Sequence, residues 1–393
     1  MPSIWNSFTY TLEFNAIISL VVASVFCKIW FGHSRGNDLK SVPKLYQPER
    51  ILGLALFKEL AKSAKAGTYL KDSRARFEEN GYTYSLVLAG STIIQTAEPE
   101  NIQAVLGHLQ SDYDSGTVRL NSAYPLLGKG IFTSDGEYWA HSRAMLKPCF
   151  AIRGFNLGNV ETHVSRLFSI IPPDGQAVDL QPLFFKLSMD TSTVFLLGES
   201  TNSLISNQQI GSESEQFSRA FDYCSTEIMT RVRMGKFMFL HRNQKFSEAC
   251  KICHRFADKY VKKALERYQK VRSENTGLVA PTLLDELMTQ TQDPLELRCQ
   301  LLHLLLAGRD TTASLLSSLI FVLSKRPDVW VKIRQEVLPH GDSTPTNAQI
   351  HGCKYISFVV KEGMCTLTLS LKNPKRISST STVPHYCLQQ PYG

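Results

Sequence analysis

The chain has 393 residues, 43% of them hydrophobic and 20% charged, which supplies ample material for a core and excludes long disorder. Its formal charge of +8 is spread along the sequence. That suits an anionic lipid surface or an acidic partner and lacks the concentrated basic patch of a nucleic-acid binder. Nine cysteines fall without a framework spacing, so they read as reduced thiols facing the cytosol, not as a disulfide scaffold.

The first predicted element is an apolar run from Phe14 to Phe31, long enough to span a bilayer with Lys28 snorkelling. No Lys or Arg precedes it, whereas Lys28 sits near its C-terminal end and Arg35, Lys40 and Lys44 follow. The positive-inside rule puts the body of the chain on the cytoplasmic side. A cleaved signal would want a basic lead and a small-residue cleavage site, so residues 1–31 are expected to be a single anchor. Residues 32–48 then form a linker, extended at Val42-Pro43 and Gln47-Pro48 because the residue before proline is pushed out of the helical region. The folded unit is expected over 49–364. It opens with one amphipathic helix over Leu52 to Glu79, stopped by Asn80-Gly81. Tyr82 to Leu88 and Thr92 to Thr96 alternate about Ala89-Gly90-Ser91 and predict a β-hairpin. Pro99 to Leu109 resumes helix.

Ser134 followed by Glu137 is a capping-box pattern, so a helix should begin just after Ser134. On it Trp139 and Arg143 share a face. An indole N–H beside a guanidinium suits a buried carboxylate, although this pattern alone also describes an ordinary Trp with a surface Arg. Gly154 to Glu199 is helical with a break at Ile171-Pro172-Pro173-Asp174-Gly175, and Thr201 to Gly211 is loop. Phe217 to Met238 and Lys245 to Val271 are amphipathic helices. Cys250-Lys251-Ile252-Cys253-His254 has the spacing of covalent haem attachment. Yet Phe246, Cys250, Cys253, Ala257, Tyr260, Val261 and Ala264 make one helical stripe, on which cysteines act as small core hydrophobes.

From Leu297 to Leu323 the sequence is apolar almost all round, the pattern of a helix buried on every side and too interrupted for a membrane span. In its middle, Gly308-Arg309-Asp310-Thr311-Thr312 breaks local rules. Gly costs about 1 kcal/mol against Ala, and Asp and Thr compete for backbone groups. A glycine there admits a flat ligand, and an acid beside a hydroxyl can relay protons; the plainer alternative is a kinked core helix with a buried polar patch. His303, one turn ahead of Ala307, reads as a packing residue and not an iron ligand. Beyond it Lys325-Arg326-Pro327-Asp328 restarts a helix with Val329, Ile333 and Val337 as its buried stripe. Gly341 to Asn347 is loop, and Tyr355 to Gly363 a further helix.

Ala307-Gly308-Arg309-Asp310-Thr311-Thr312 resembles the oxygen-binding motif of the long central helix of cytochromes P450. Trp139-x-x-x-Arg143, in the right order ahead of it, is similar to the family's propionate-binding motif. Both segments look most similar to the fungal alkane and fatty-acid hydroxylases. The resemblance implies a mainly α-helical prism with small β-sheets, behind an N-terminal membrane helix in the endoplasmic reticulum and with the catalytic domain in the cytosol. It also implies a heme (haem) cofactor, electrons from NADPH-cytochrome P450 reductase, and hydroxylation of a small apolar substrate, a fatty acid or n-alkane, with O2. By carry-over, Ala307 and Gly308 leave room for O2, Thr311 holds a hydrogen-bonded water, Asp310 feeds protons, and Trp139 and Arg143 grip a haem propionate. The hairpin would flank the mouth of the substrate channel, and the two helices over 217–271 would roof the pocket.

The family pattern breaks after Gly363. Where the family has Glu-x-x-Arg, Glu362 is followed by Cys365 at the arginine position. A buried carboxylate left without its partner is expected to cost about 3–5 kcal/mol. The thiolate loop Gly-x-Arg-x-Cys-x-Gly is not found; Cys387 lies in His385-Tyr386-Cys387-Leu388-Gln389. Residues 365–393 therefore read as a non-matching, Ser/Thr-rich tail, disordered by composition, and no metal ligand is assigned. A thiolate pushes electron density onto the iron for O–O cleavage. The alternative expectation is thus a catalytically inactive membrane protein, its tail read from a shifted frame, retained intron or alternative exon.

Overall fold

The computed structural model describes residues 42–151, 157–172, 176–205, 211–273, 282–341 and 344–370. The expected anchor, most of the linker and most of the tail, including Cys387, lie outside the described residues.

Residues 42–48 are built into the sheet. Lys44 forms a parallel bridge with Ser85, and Leu45 N–H donates to Ser85 O at 2.8 Å. The Gln47 side chain completes the edge, donating to Val87 O and accepting from Val87 N–H, both at 2.8 Å. An unpaired strand edge offers these backbone groups, and the expected linker supplies their partners.

Two helices, α1 (Leu54–Lys65) and α2 (Tyr69–Asn80), replace the single helix expected over 52–79. The break is at Gly67, which takes the left-handed conformation at φ 69°. Thr68 N–H reaches back to Ser63 O at 2.9 Å, closing the first helix with the bond pattern that a left-handed glycine permits. The hairpin follows, with β1 (Thr83–Leu88) and β2 (Ser91–Thr96) antiparallel. Leu88 pairs with Ser91, so the turn is only Ala89 and Gly90, both at positive φ. That turn twist matches the twist of the strands. Tyr84 and Leu86 on β1 join Leu45 and Leu56 in a small core.

The helix expected over 99–109 is shorter: α3 (Pro99–Gln103) runs into one π turn, Ala104–His108, broken at Gly107. Then come α4 (Thr117–Leu127), α5 (Gly136–Ala151), α6 (Leu157–Ile170), α7 (Leu180–Leu197), α8 (Glu213–Met234) and α9 (Gln244–Ser273). After α10 (Leu283–Leu287), the central helix α11 spans Pro294–Leu323. It starts with Pro294 in its first turn and Asp293 accepting from Leu295 N–H at 3.1 Å. The chain continues through α12 (Pro327–Val337), α13 (Asn347–Gly352) and α14 (Lys354–Ser370). The last helix runs beyond the Gly363 end that the pattern predicts.

Helix α11 packs on α7 above all, and also on α9, α4 and α14. Leu297, Leu301, Leu302 and Leu305 enter the main core with Phe217, Phe221, Met189 and Leu284. Phe217 stacks on Phe256 at 3.9 Å between centroids. Cys250 and Cys253 are buried in the same cluster, with Cys224 Sγ 3.8 Å from Cys250 Sγ, as the packing reading of that stripe requires.

The helix buried on every side is found only in its first half. After Leu305, Arg309 and Ala313 are the buried positions of α11, and Thr311, Thr312 and Phe321 are exposed. The expected stripe of α12 is also incomplete: Val329 and Ile333 are half-buried and Val337 is exposed. The apolar residues are where periodicity puts them, but among the described residues no element covers that face. By length and composition α11 could cross a membrane. Its buried Gln300, His303 and Arg309 and its helical neighbours make it a core helix here.

Candidate active site

The polar patch of α11 lies where the helix passes from buried to open. Gly308 sits under α7: Ser188 Oγ donates to Arg309 O at 2.6 Å, and a Cβ on Gly308 would stand 3.4 Å from Ser192 Oγ. The glycine thus fits the close crossing of two helices as well as a flat ligand. Thr311 Oγ1 donates to Ala307 O one turn back at 2.8 Å, so its hydroxyl proton is held on its own helix. Ala307 and Gly308 are half-buried beside it.

Arg309, given no role by sequence, is the most buried member of the patch at 4% exposure. Its guanidinium pairs with Asp222 of α8 and with Asp310, the latter at 3.0 Å. It lies over the rings of Phe185 and Phe221 at 5.2 and 5.8 Å. Burial pushes the Asp310 carboxyl above its ordinary range; Arg309 opposes this and Asp222 adds to it. A carboxyl poised in that way can hold a proton. Among the described residues its hydrogen bond runs to Arg309 and none joins it to Thr311.

Trp139 and Arg143 lie on α5 as predicted, with the Arg143 guanidinium carbon 5.5 Å from the Trp139 ring centre. Arg143 is exposed and Trp139 half-buried. Among the described residues no carboxylate pairs with Arg143, and no hydrogen bond or ion pair links this pair to Ala307–Thr312. The two groups are related through the N-terminal half of α11. Gln300 Nε2 donates to Ser142 Oγ at 3.0 Å, and His141 Nε2 meets Glu296 Oε1 at 2.9 Å.

His303 anchors the segment ahead of α5. Phe132 N–H donates to its Nδ1, and its Nε2 meets Thr133 Oγ1, both at 3.3 Å. Thr133 gives its own proton to Gly128 O at 2.6 Å, which leaves Nε2–H as the donor and the ring neutral. Burial lowers its pKa to about 4. Gly128 and Gly130 are small for this contact: a Cβ would stand 2.3 Å from Cys299 Sγ and 2.4 Å from His303 Cδ2 respectively. His303 is thus a packing residue, and its partners were not legible beforehand.

Among the described residues no group of His, Cys, Asp or Glu could hold a metal ion. Cys224, Cys250, Cys253, Cys299 and Cys353 are free and buried. Hydrogen bonding to Cys224 and then burial push the Cys250 thiol up, and burial does the same to Cys299, the reverse of what a thiolate ligand needs. Glu362, expected to be a buried carboxylate without compensation, is half-buried on α14 and does not stand alone. Beside it, Gly363 meets α11, where a Cβ would stand 2.3 Å from Leu319 Cδ2.

The family model described as Cytochrome P450 matches residues 45–390, extending past the break read at 365. Cytochrome P450 monooxygenase fsdH of Fusarium heterosporum is 39% identical over 86% of this chain and 61% of its own length. Cytochrome P450 monooxygenase g430 of a Fusarium species is 35% identical over 89% and 66%. Cytochrome P450 52A5 of Candida maltosa is 35% identical over 93% and 73%. The chain therefore spans less than two-thirds of the two Fusarium relatives.

Proposed function

The chain belongs to the cytochrome P450 family, and from that premise we propose that it carries the oxygen side of a haem-dependent monooxygenase for fatty acids or n-alkanes. The observation that supports this best is the Ala307–Thr312 patch, small and polar, on the open half of an otherwise apolar central helix. The family implies haem, and the described residues fit one of its faces. Ala307 and Gly308 leave space, while Trp139 and Arg143 offer an indole N–H and a guanidinium to a propionate carboxylate. Cys224, Cys250, Cys253, Cys299 and Cys353 are buried in packing and offer the other face no ligand.

What the chain's own residues can do is narrower. Asp310 offers a carboxyl that burial pushes above its ordinary range, a group able to take up and release a proton. Thr311 Oγ1 can accept from a water while donating to Ala307 O. NADPH-cytochrome P450 reductase would be the electron donor, and the chain's positive charge suits an acidic partner. Residues 1–31 would hold the protein in the endoplasmic reticulum membrane, single-pass, with the catalytic domain in the cytosol.

A second reading, a catalytically inactive membrane protein, is favoured by one observation: the sequence contains no Gly-x-Arg-x-Cys-x-Gly. A carbon monoxide difference spectrum of the reduced, full chain separates the two. The red-shifted Soret band of a thiolate-ligated haem supports the monooxygenase, and folded protein without that band supports the inactive reading.

A further inference from the structure

One cation serves two acids beside the central helix. The Arg309 guanidinium donates through Nη1 to Asp310 Oδ1 at 3.0 Å and pairs through Nη2 with Asp222 Oδ1 of α8. Its Nε is buried without a hydrogen-bond partner. A bidentate pair would set two N–H groups on one carboxylate. Here the fork is split, and neither acid receives it whole.

Packing holds the split. Arg309 is buried, with the rings of Phe185 on α7 and Phe221 on α8 against its guanidinium at 5.2 and 5.8 Å. Close-packed rings on two helices limit its swing toward either acid. Two carboxylates and one guanidinium leave one negative charge over, and in a site partly closed to water that excess is relieved when one acid takes up a proton. Asp310 is the more enclosed of the two, its side chain 35% exposed against 53% for Asp222. It is also the acid whose carboxyl is pushed up, by burial first, with Arg309 opposing and Asp222 adding. The other groups packed on Arg309, namely Phe185 and Ser188 of α7 and Phe221 of α8, carry no charge.

We propose that Asp222 is a positioning residue for Asp310, acting through Arg309. By drawing the guanidinium toward α8 it denies Asp310 a full ion pair and leaves that carboxyl able to carry a proton beside Thr311. As a statement about proton delivery, this rests on the monooxygenase reading. Control of the ionisation of Asp310 does not, because it is read without turnover.

The test follows, against pH, the infrared carboxyl band that Asp310→Asn removes, in the full chain in detergent with isotope-labelled aspartate. In Asp222→Asn the guanidinium can turn wholly to Asp310, and the midpoint of that band should fall by about one pH unit. Asp222→Glu keeps a carboxylate on Arg309 and should stay close to the wild-type midpoint. Loosening of α8 alone would also lower the midpoint, by letting water in, so the cycle with Arg309→Gln separates the two causes. In that background Asp222→Asn should lower the midpoint much less, since no cation is left to redirect. An equal fall there overturns the role through Arg309. So does a midpoint unchanged in Asp222→Asn, or one lowered as far in Asp222→Glu. Retention of the shift in protein without the carbon monoxide band upholds the ionic control and removes only the monooxygenase reading.

Discussion

Burial keeps His303 neutral, and that has a signed consequence. Its pKa falls from 6.5 to about 4 in the folded chain, so protonation favours unfolding. The stability it contributes is present above pH 6.5 and lost as the pH falls through about 4. The advantage of wild type over His303→Gln, from urea unfolding, should shrink across that window by on the order of 3 kcal/mol. Two glycines should behave oppositely in thermal unfolding. Gly130→Ala drives a Cβ into the His303 ring and should cost about 1–3 kcal/mol. At Gly308 the new Cβ reaches only ordinary contact with Ser192, and better helix propensity should make Gly308→Ala neutral or stabilising by up to about 1 kcal/mol. Thr311→Ala bears on the proposed chemistry. In protein that turns over, product should fall while NADPH consumption persists and peroxide rises; unchanged coupling would remove Thr311 from that role. Candidates such as Thr311 and Trp139 can be proposed from sequence because each motif is local. The role of Arg309 was not legible there, because its partner Asp222 comes from α8, far away in sequence.

At the level of elements, sequence patterns located most of the long helices but carried no expectation for α4, α10 or α13. A long amphipathic pattern over 52–79 concealed the left-handed turn at Gly67, since a single glycine is tolerated within a helical pattern and its φ is not visible there. The start of α14 at Lys354 falls within one residue of the expected Tyr355, but its cap comes from another element. Glu336, on α12, accepts from the Tyr355 and Ile356 N–H groups at 2.8 and 2.9 Å, capping the next helix but one. Glu336→Ala should therefore destabilise the chain by about 1–2 kcal/mol. Hydrogen exchange should locate the loss, with the Tyr355 and Ile356 amides losing protection first. Protection unchanged at those two amides would show that the cap contributes little.

For the whole molecule, the first half of α11 is enclosed by helices while its second half, α12 and α14 present apolar residues outward. If residues 1–31 anchor the chain as proposed, the protein should stay with membranes through alkaline carbonate extraction, and deletion of those residues should release it. Release of the full chain would remove residues 1–31 from that role. Sequence by itself was enough for the family and to propose residues for the oxygen side, because a short motif on one helix is carried by neighbours in the chain. Tertiary structure alone decided which half of that helix is open, that Arg309 is tied to Asp222 and Asp310, and that residues 42–48 complete the sheet edge. Those outcomes depend on groups brought together from distant positions, and packing between them leaves no periodic trace in either segment.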